Sequence, residues 1–113
     1  MLLTNTAVLE HDFLPGMYAG SYFPKAQVDK VKNVLWSLCA AIEQDRPESV
    51  EHFLKLTHAA TEAINDLADE FYENGSEIET VAREVMADDF AFIAKAYGFG
   101  QVDIEEIIAP REW

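Results

Sequence analysis

The segment THAATEAINDLADEFYENGSEIET, residues 57–80, decides the fold, because nine of its twenty-four positions are Glu, Asp or Asn and one is histidine. At about 100° per residue, Ala60, Ile64, Leu67 and Phe71 fall on one face, and Glu62, Asp66, Asp69 and Glu73 fall elsewhere. That is the period of an amphipathic helix. Gly75 suits a left-handed stop, and Ser76 followed by Glu79 has the spacing of a capping box. One helix is therefore expected to end, and the next to begin, within the segment. The carboxylates should decorate the outside of helices whose apolar sides meet.

The same reasoning extends outward. Pro47 suits a first helical position, so the helix carrying the segment is expected over about 47–74, with Val50, Phe53 and Leu54 continuing its apolar face. Before it, a helix is expected over about 24–45. Val28, Val31, Leu35, Leu38, Cys39 and Ile42 recur there at helical spacing, flanked by Val34 and Trp36. A third helix is expected over about 77–97, with Ile78, Val81, Ala82, Val85, Phe92, Ile93, Ala96 and Tyr97 turned inward, ended by Gly98. Asp103 and Glu106 repeat the cap-box spacing ahead of Ile104, Ile107 and Ile108, so a short helix is expected over about 103–109, stopped by Pro110. Residues 1–23 show no period. Pro15, Gly16, Gly20 and Pro24 punctuate them, while Phe13, Met17, Tyr18, Tyr22 and Phe23 are too apolar for a free tail. An ordered aromatic N-terminal arm, lying across the helices, is expected. Short connections between long helices imply antiparallel neighbours. The fold class is all-α, a single domain over residues 1–113: three long antiparallel helices, a short C-terminal helix and the arm.

Composition narrows the function. Half of the 113 residues are apolar and 12% are aromatic, enough for one core and against disorder. No apolar run approaches the ~20 residues of a membrane helix, and the start, MLLTNTAVLEHD, lacks the pattern of a signal peptide. A lone cysteine, Cys39, fits a reducing compartment, so a cytoplasmic location is expected. The net charge of −13 is uneven: residues 1–47 hold five acids and four bases, a balance of −1, which leaves −12 for residues 48–113. Such a surface repels nucleic acid and anionic membrane, and attracts a basic protein. Acidity also serves solubility alone.

Several chemistries lack their signatures. There is no phosphate-binding Gly-x-x-x-x-Gly-Lys loop, no Gly-x-Ser-x-Gly elbow and no Cys-x-x-Cys pair, and YGFGQ at 97–101 reads as a helix stop. Neither His11 nor His52 lies in a zinc-like cluster. His58, Glu62, Asn65 and Asp69 share a narrow strip bordering an apolar face; a metal there would need further ligands such as Glu79 or Glu84, and a histidine bonded to a neighbouring acid is the commoner case. Thr57 and Thr61 fall inside the apolar arc, where each hydroxyl can return to the carbonyl four residues back. Asp88 and Asp89 point toward the arc of the third helix. Either the helix breaks there, or Asp89 meets an interior partner, with Thr57, His58, Thr61 and Trp36 as candidates for a polar pocket.

The blocks MYAGSYFPKAQVDK (17–30), THAATEAINDLADEFYENGSEIETVARE (57–84) and YGFGQVDIEEIIAPREW (97–113) carry a resemblance. Over Met17–Trp113 the chain resembles a family of small acidic bacterial proteins classed as a domain of unknown function. The resemblance implies a compact bacterial domain and brings no activity, cofactor or site residue with it. The leading expectation is a non-catalytic binding module that docks a basic protein through Glu62, Asp66, Asp69, Glu73, Glu77 and Glu84, as an immunity protein, an antitoxin or a DNA mimic would. The alternative is a small metal protein or enzyme centred on His58, Glu62 and Asp89. A homodimer seam formed by Trp36 and the aromatic arm is a third expectation.

Overall fold

The repeat Val28, Val31, Leu35, Leu38, Cys39 and Ile42 folds as helix and buries all six side chains. In the computed structural model, which describes residues 3–19, 23–73 and 80–113, it belongs to the third of six helices in an all-α chain. These are α1 (Thr6–Glu10), α2 (Pro15–Ala19), α3 (Lys25–Asp45), α4 (Val50–Glu73), α5 (Thr80–Ala96) and α6 (Ile104–Ile107), with no strand among the described residues. None of the described helices is long and apolar enough to cross a membrane.

α4 starts three residues after the proline that suggested its beginning. The Ser49 hydroxyl accepts from the His52 amide at 3.1 Å, so the serine caps the helix and Pro47 lies in the connection. Phe53, Thr57, Ala60, Thr61, Ile64 and Phe71 are buried along this helix. The stop and capping box read at Gly75, Ser76 and Glu79 lie outside the described residues, as do Gly20, Tyr22 and Ile78.

Where an ordered aromatic arm was expected, the N-terminal stretch carries two short helices. It winds into α1 and α2, and Val8, Phe13, Leu14 and Met17 enter the core, joined by Phe23. The reason is backbone hydrogen bonding: a segment laid into an apolar interior must satisfy its amides locally. The Asn5 side chain caps α1 by accepting from the Val8 amide, and the Leu14 carbonyl accepts from the Met17 and Tyr18 amides, both at 3.1 Å. Leu14 itself adopts φ 56°, the left-handed region that few bulky residues enter.

These short helices explain the departure in α5. Of its expected inward face, Ala82 and Ile93 are buried, but Val81 is 49% exposed and Val85 and Phe92 are only half-buried, while Met86, Phe90 and Ala94 are buried in their place. α5 packs chiefly on α2, with α6, α1 and α3 as further neighbours, and α4 packs chiefly on α3. Its buried arc thus faces several partners at once and turns away from the one a single neighbour would select. Asp88 and Asp89 do not break the helix, which runs unbroken through both.

The C-terminal segment closes over α4. Asp103 caps α6 by accepting from the Glu105 amide at 3.0 Å, and Ile107, Ile108 and Trp113 are buried. Aromatic pairs tie distant segments, Phe53 stacking on Phe99 at 4.2 Å and Phe23 meeting Phe71 edge-on at 6.3 Å.

α2 crosses α5 at Gly16, where a Cβ would stand 2.8 Å from Val85 Cγ2. Gly16→Ala should therefore destabilise the protein by about 1–3 kcal/mol, the range of an overpacked contact. Urea unfolding of Gly16→Ala in a Val85→Ala background tests this, because the penalty should shrink once the clashing methyl is gone.

Candidate functional site

On the outer face of α4, Glu62, Asp66, Asp69 and Glu73 follow one another at steps of four, three and four, and all are exposed. At about 1.5 Å rise per residue, neighbours in this row are about 4.5–6 Å apart along the axis. None of them joins an ion pair or hydrogen bond among the described residues. The ion pair made by α4 on this side is Lys30 with Glu70, which ties it to α3. Glu84 is exposed on α5, and Glu77 lies outside the described residues.

The strip on the other edge of this row has a different use. His58 donates from Nε2 to the Glu106 carbonyl at 2.7 Å. Asn65 donates to the Pro110 carbonyl at 3.0 Å and accepts from the Glu112 amide at 2.8 Å. Here the polar groups that looked like metal ligands hold the C-terminal segment. No group of three His, Cys, Asp or Glu able to hold a metal occurs among the described residues, so His58, Glu62 and Asp89 do not form one.

The expected polar pocket is likewise dispersed. Thr57 bonds to the Leu54 carbonyl at 3.1 Å and Thr61 to the Thr57 carbonyl at 2.8 Å, each satisfied within its own helix. Trp36 is 41% exposed, with the Lys32 ammonium 4.9 Å above its ring. Asp89 is buried, but its partners come from the N-terminal segment: one oxygen receives His11 Nε2 at 2.7 Å, the other the Leu14 amide at 2.8 Å. His11 is further held by stacking on Phe92 at 3.8 Å and by the edge of Phe13. Burial pushes the Asp89 carboxyl above its ordinary range, further than the bonds from His11 and Leu14 draw it down. With Asp89 ionised, Nε2 is the protonated ring nitrogen. A cavity of about 180 Å³ opens beside this pair, lined by His11, Asp12, Pro15, Val85, Asp88 and Asp89, and it holds no hydroxyl, thiol or amine nucleophile. The pair is a pin for the N-terminal helices. No helical period marks His11, and only the punctuation of Pro15 and Gly16 hinted that its segment turns there.

A second carboxylate gathers donors on α3. Glu43 accepts from the Thr4 amide and hydroxyl, both at 2.8 Å, from the Asn5 amide at 3.2 Å and from the Tyr97 hydroxyl. Burial works to raise its pKa, but these bonds outweigh it and the net direction is down. Cys39 lies nearby and fully buried; burial pushes its thiol up to about 12, which leaves it unreactive near neutrality.

The chain belongs to the family of unknown function DUF5713, which it matches over residues 7–113. No curated protein and no solved structure matches it.

Two stability measurements follow from the carboxylates. Asp89→Ala leaves the buried Leu14 amide without an acceptor and should cost about 2–3 kcal/mol, whereas Asp89→Asn keeps an acceptor and a polar neighbour for His11 and should cost under half as much, read by urea midpoints at neutral pH. Glu43 has its pKa lowered by folding, so its contribution is present above the unfolded glutamate range and is lost as pH falls through the folded value. The stability gap between the wild type and Glu43→Gln should accordingly close on acidification; a gap that is constant with pH would contradict this account of the hub.

Proposed function

We propose that this member of DUF5713 is a non-catalytic binding module whose α4 acidic face docks a positively charged protein. The observation that supports it is the row Glu62, Asp66, Asp69 and Glu73, exposed and unpaired among the described residues. Several of the chain's cations are engaged elsewhere: Lys30 with Glu70, Lys32 over Trp36, and Arg111 near Glu105 at 3.6 Å. Like charges four apart on a helix cost about 0.2–0.5 kcal/mol per pair. Glu62 with Asp66, and Asp69 with Glu73, are such pairs, so the row is a small burden on the folded state that a cationic partner would lift. The field of this row favours rapid encounter with a basic surface and opposes nucleic acid. Covering a basic active site, as an immunity protein or antitoxin does, and imitating a row of phosphates both fit this chemistry.

Capture from host lysate at two ionic strengths, by the wild type and by a Glu62→Gln, Asp66→Asn, Asp69→Asn, Glu73→Gln variant, tests the proposal. Raising salt from about 0.1 M to about 1 M shortens the Debye length from about 10 Å to about 3 Å and should release a basic partner. The variant should fail to capture that partner while keeping or slightly raising the thermal midpoint. A partner held equally by the variant, or in high salt, sinks the reading.

A further inference from the structure

Beside the acidic row, α3 and α4 leave an open groove of about 410 Å³ between them. Val34, Leu38 and Ala41 from α3 and Leu56, Ala59 and Ala63 from α4 make its apolar lining. Its two lips differ. On α4, helical geometry sets Ala59 and Ala63 between the buried face and the acids, with Glu62 three residues after Ala59 and Asp66 three after Ala63. On α3, the outer lip is the uncharged Asn33 and Ser37, both exposed. Past the Asn33 and Ala63 end, the Lys30–Glu70 ion pair bridges the two helices.

We infer that this groove receives a short amphipathic helix of the basic partner. Its apolar stripe lies on the groove floor, and its Lys or Arg side chains run along the flank facing Glu62 and Asp66. This rests on the acidic-face reading above and adds the shape and chemistry of what binds. A helix suits the site because recognition in such grooves uses anchors at i, i+3, i+4 and i+7. Alanines at 41, 59 and 63 also let a third helix come within the ~8–10 Å of ordinary helix packing. The one-sided charge fixes the partner's flank and so its orientation. A second copy of this chain is disfavoured, since it would set one acidic row against another in molecules of net charge −13.

The test uses the full chain and three synthetic peptides of about five helical turns. The first has a leucine stripe with lysines along one flank; the second has the same composition shuffled to abolish the stripe; the third keeps the stripe with glutamates for the lysines. Calorimetry at low ionic strength should show the first binding at least about tenfold more tightly than either of the others. Ser37→Trp, which fills the groove at an exposed position without altering charge, should weaken it by a similar factor, and Ala59→Arg is the second variant, each accepted only with a wild-type circular dichroism melt. Equal binding of the striped and shuffled lysine peptides overturns the groove while leaving the acidic face standing. Equal binding of the glutamate peptide overturns the acidic face itself. No binding of the striped lysine peptide removes the groove alone, since the row is tested separately by capture. A dimer in sedimentation that Ser37→Trp dissociates would assign the groove to a second copy and also overturn the inference.

Discussion

A buried carboxylate must be surrounded by donors, and in this protein that requirement is met by one residue reaching across the chain. Asp89 on α5 takes a ring nitrogen from His11 and an amide from Leu14, so both of its oxygens are committed to the segment that precedes α2. The two bonds fix where the N-terminal helices lie, and the rest of the packing is built on that placement. Phe13, Leu14 and Met17 become core because the segment is held against α5, and Gly16 can then approach Val85 closely. The left-handed backbone at Leu14 is tolerated for the same reason: its amide is fixed by Asp89, and its side chain is fully buried.

Glu43 does comparable work near the other end of the N-terminal segment. Four bonds from Thr4, Asn5 and Tyr97 converge on it, and the Asn5 side chain adds a bond to the Ala96 carbonyl at 2.9 Å. The two acids move in opposite directions on folding. Asp89 is buried deeply enough that desolvation prevails over its donors, whereas Glu43 stays near water and its donors prevail. The acidic residues thus divide by task. A few inside or half inside organise the fold, while the row on α4 lies outside and joins no ion pair or hydrogen bond among the described residues.

The groove between α3 and α4 belongs to the same division of labour. α3 and α4 pack most extensively on each other, yet small residues along one edge of their contact leave apolar surface open. On the opposite edge of α4, His58 and Asn65 are occupied by the C-terminal segment. One side of the helix is therefore closed by the chain itself and the other is left to solvent, with the acids between them.

Periodicity in the sequence determined the all-α class and the exposure of the α4 carboxylates, because amphipathic spacing is a local property that survives whatever the neighbours do. The capping chemistry of Asp103 and the buried stripe of α3 were legible for the same reason, and so was the return of Thr61 to its own helix. What only the tertiary structure decided was the partner of each buried polar group. Asp89 was marked as a problem by its place in an apolar arc, but its answer lay 78 residues away in an aperiodic stretch that carries no pattern. The face of α5, the exposure of Trp36 and the use of His58 were likewise decided by which segments came to lie beside them. Burial and hydrogen bonding are pairwise conditions in space, and a helical repeat specifies only one member of each pair.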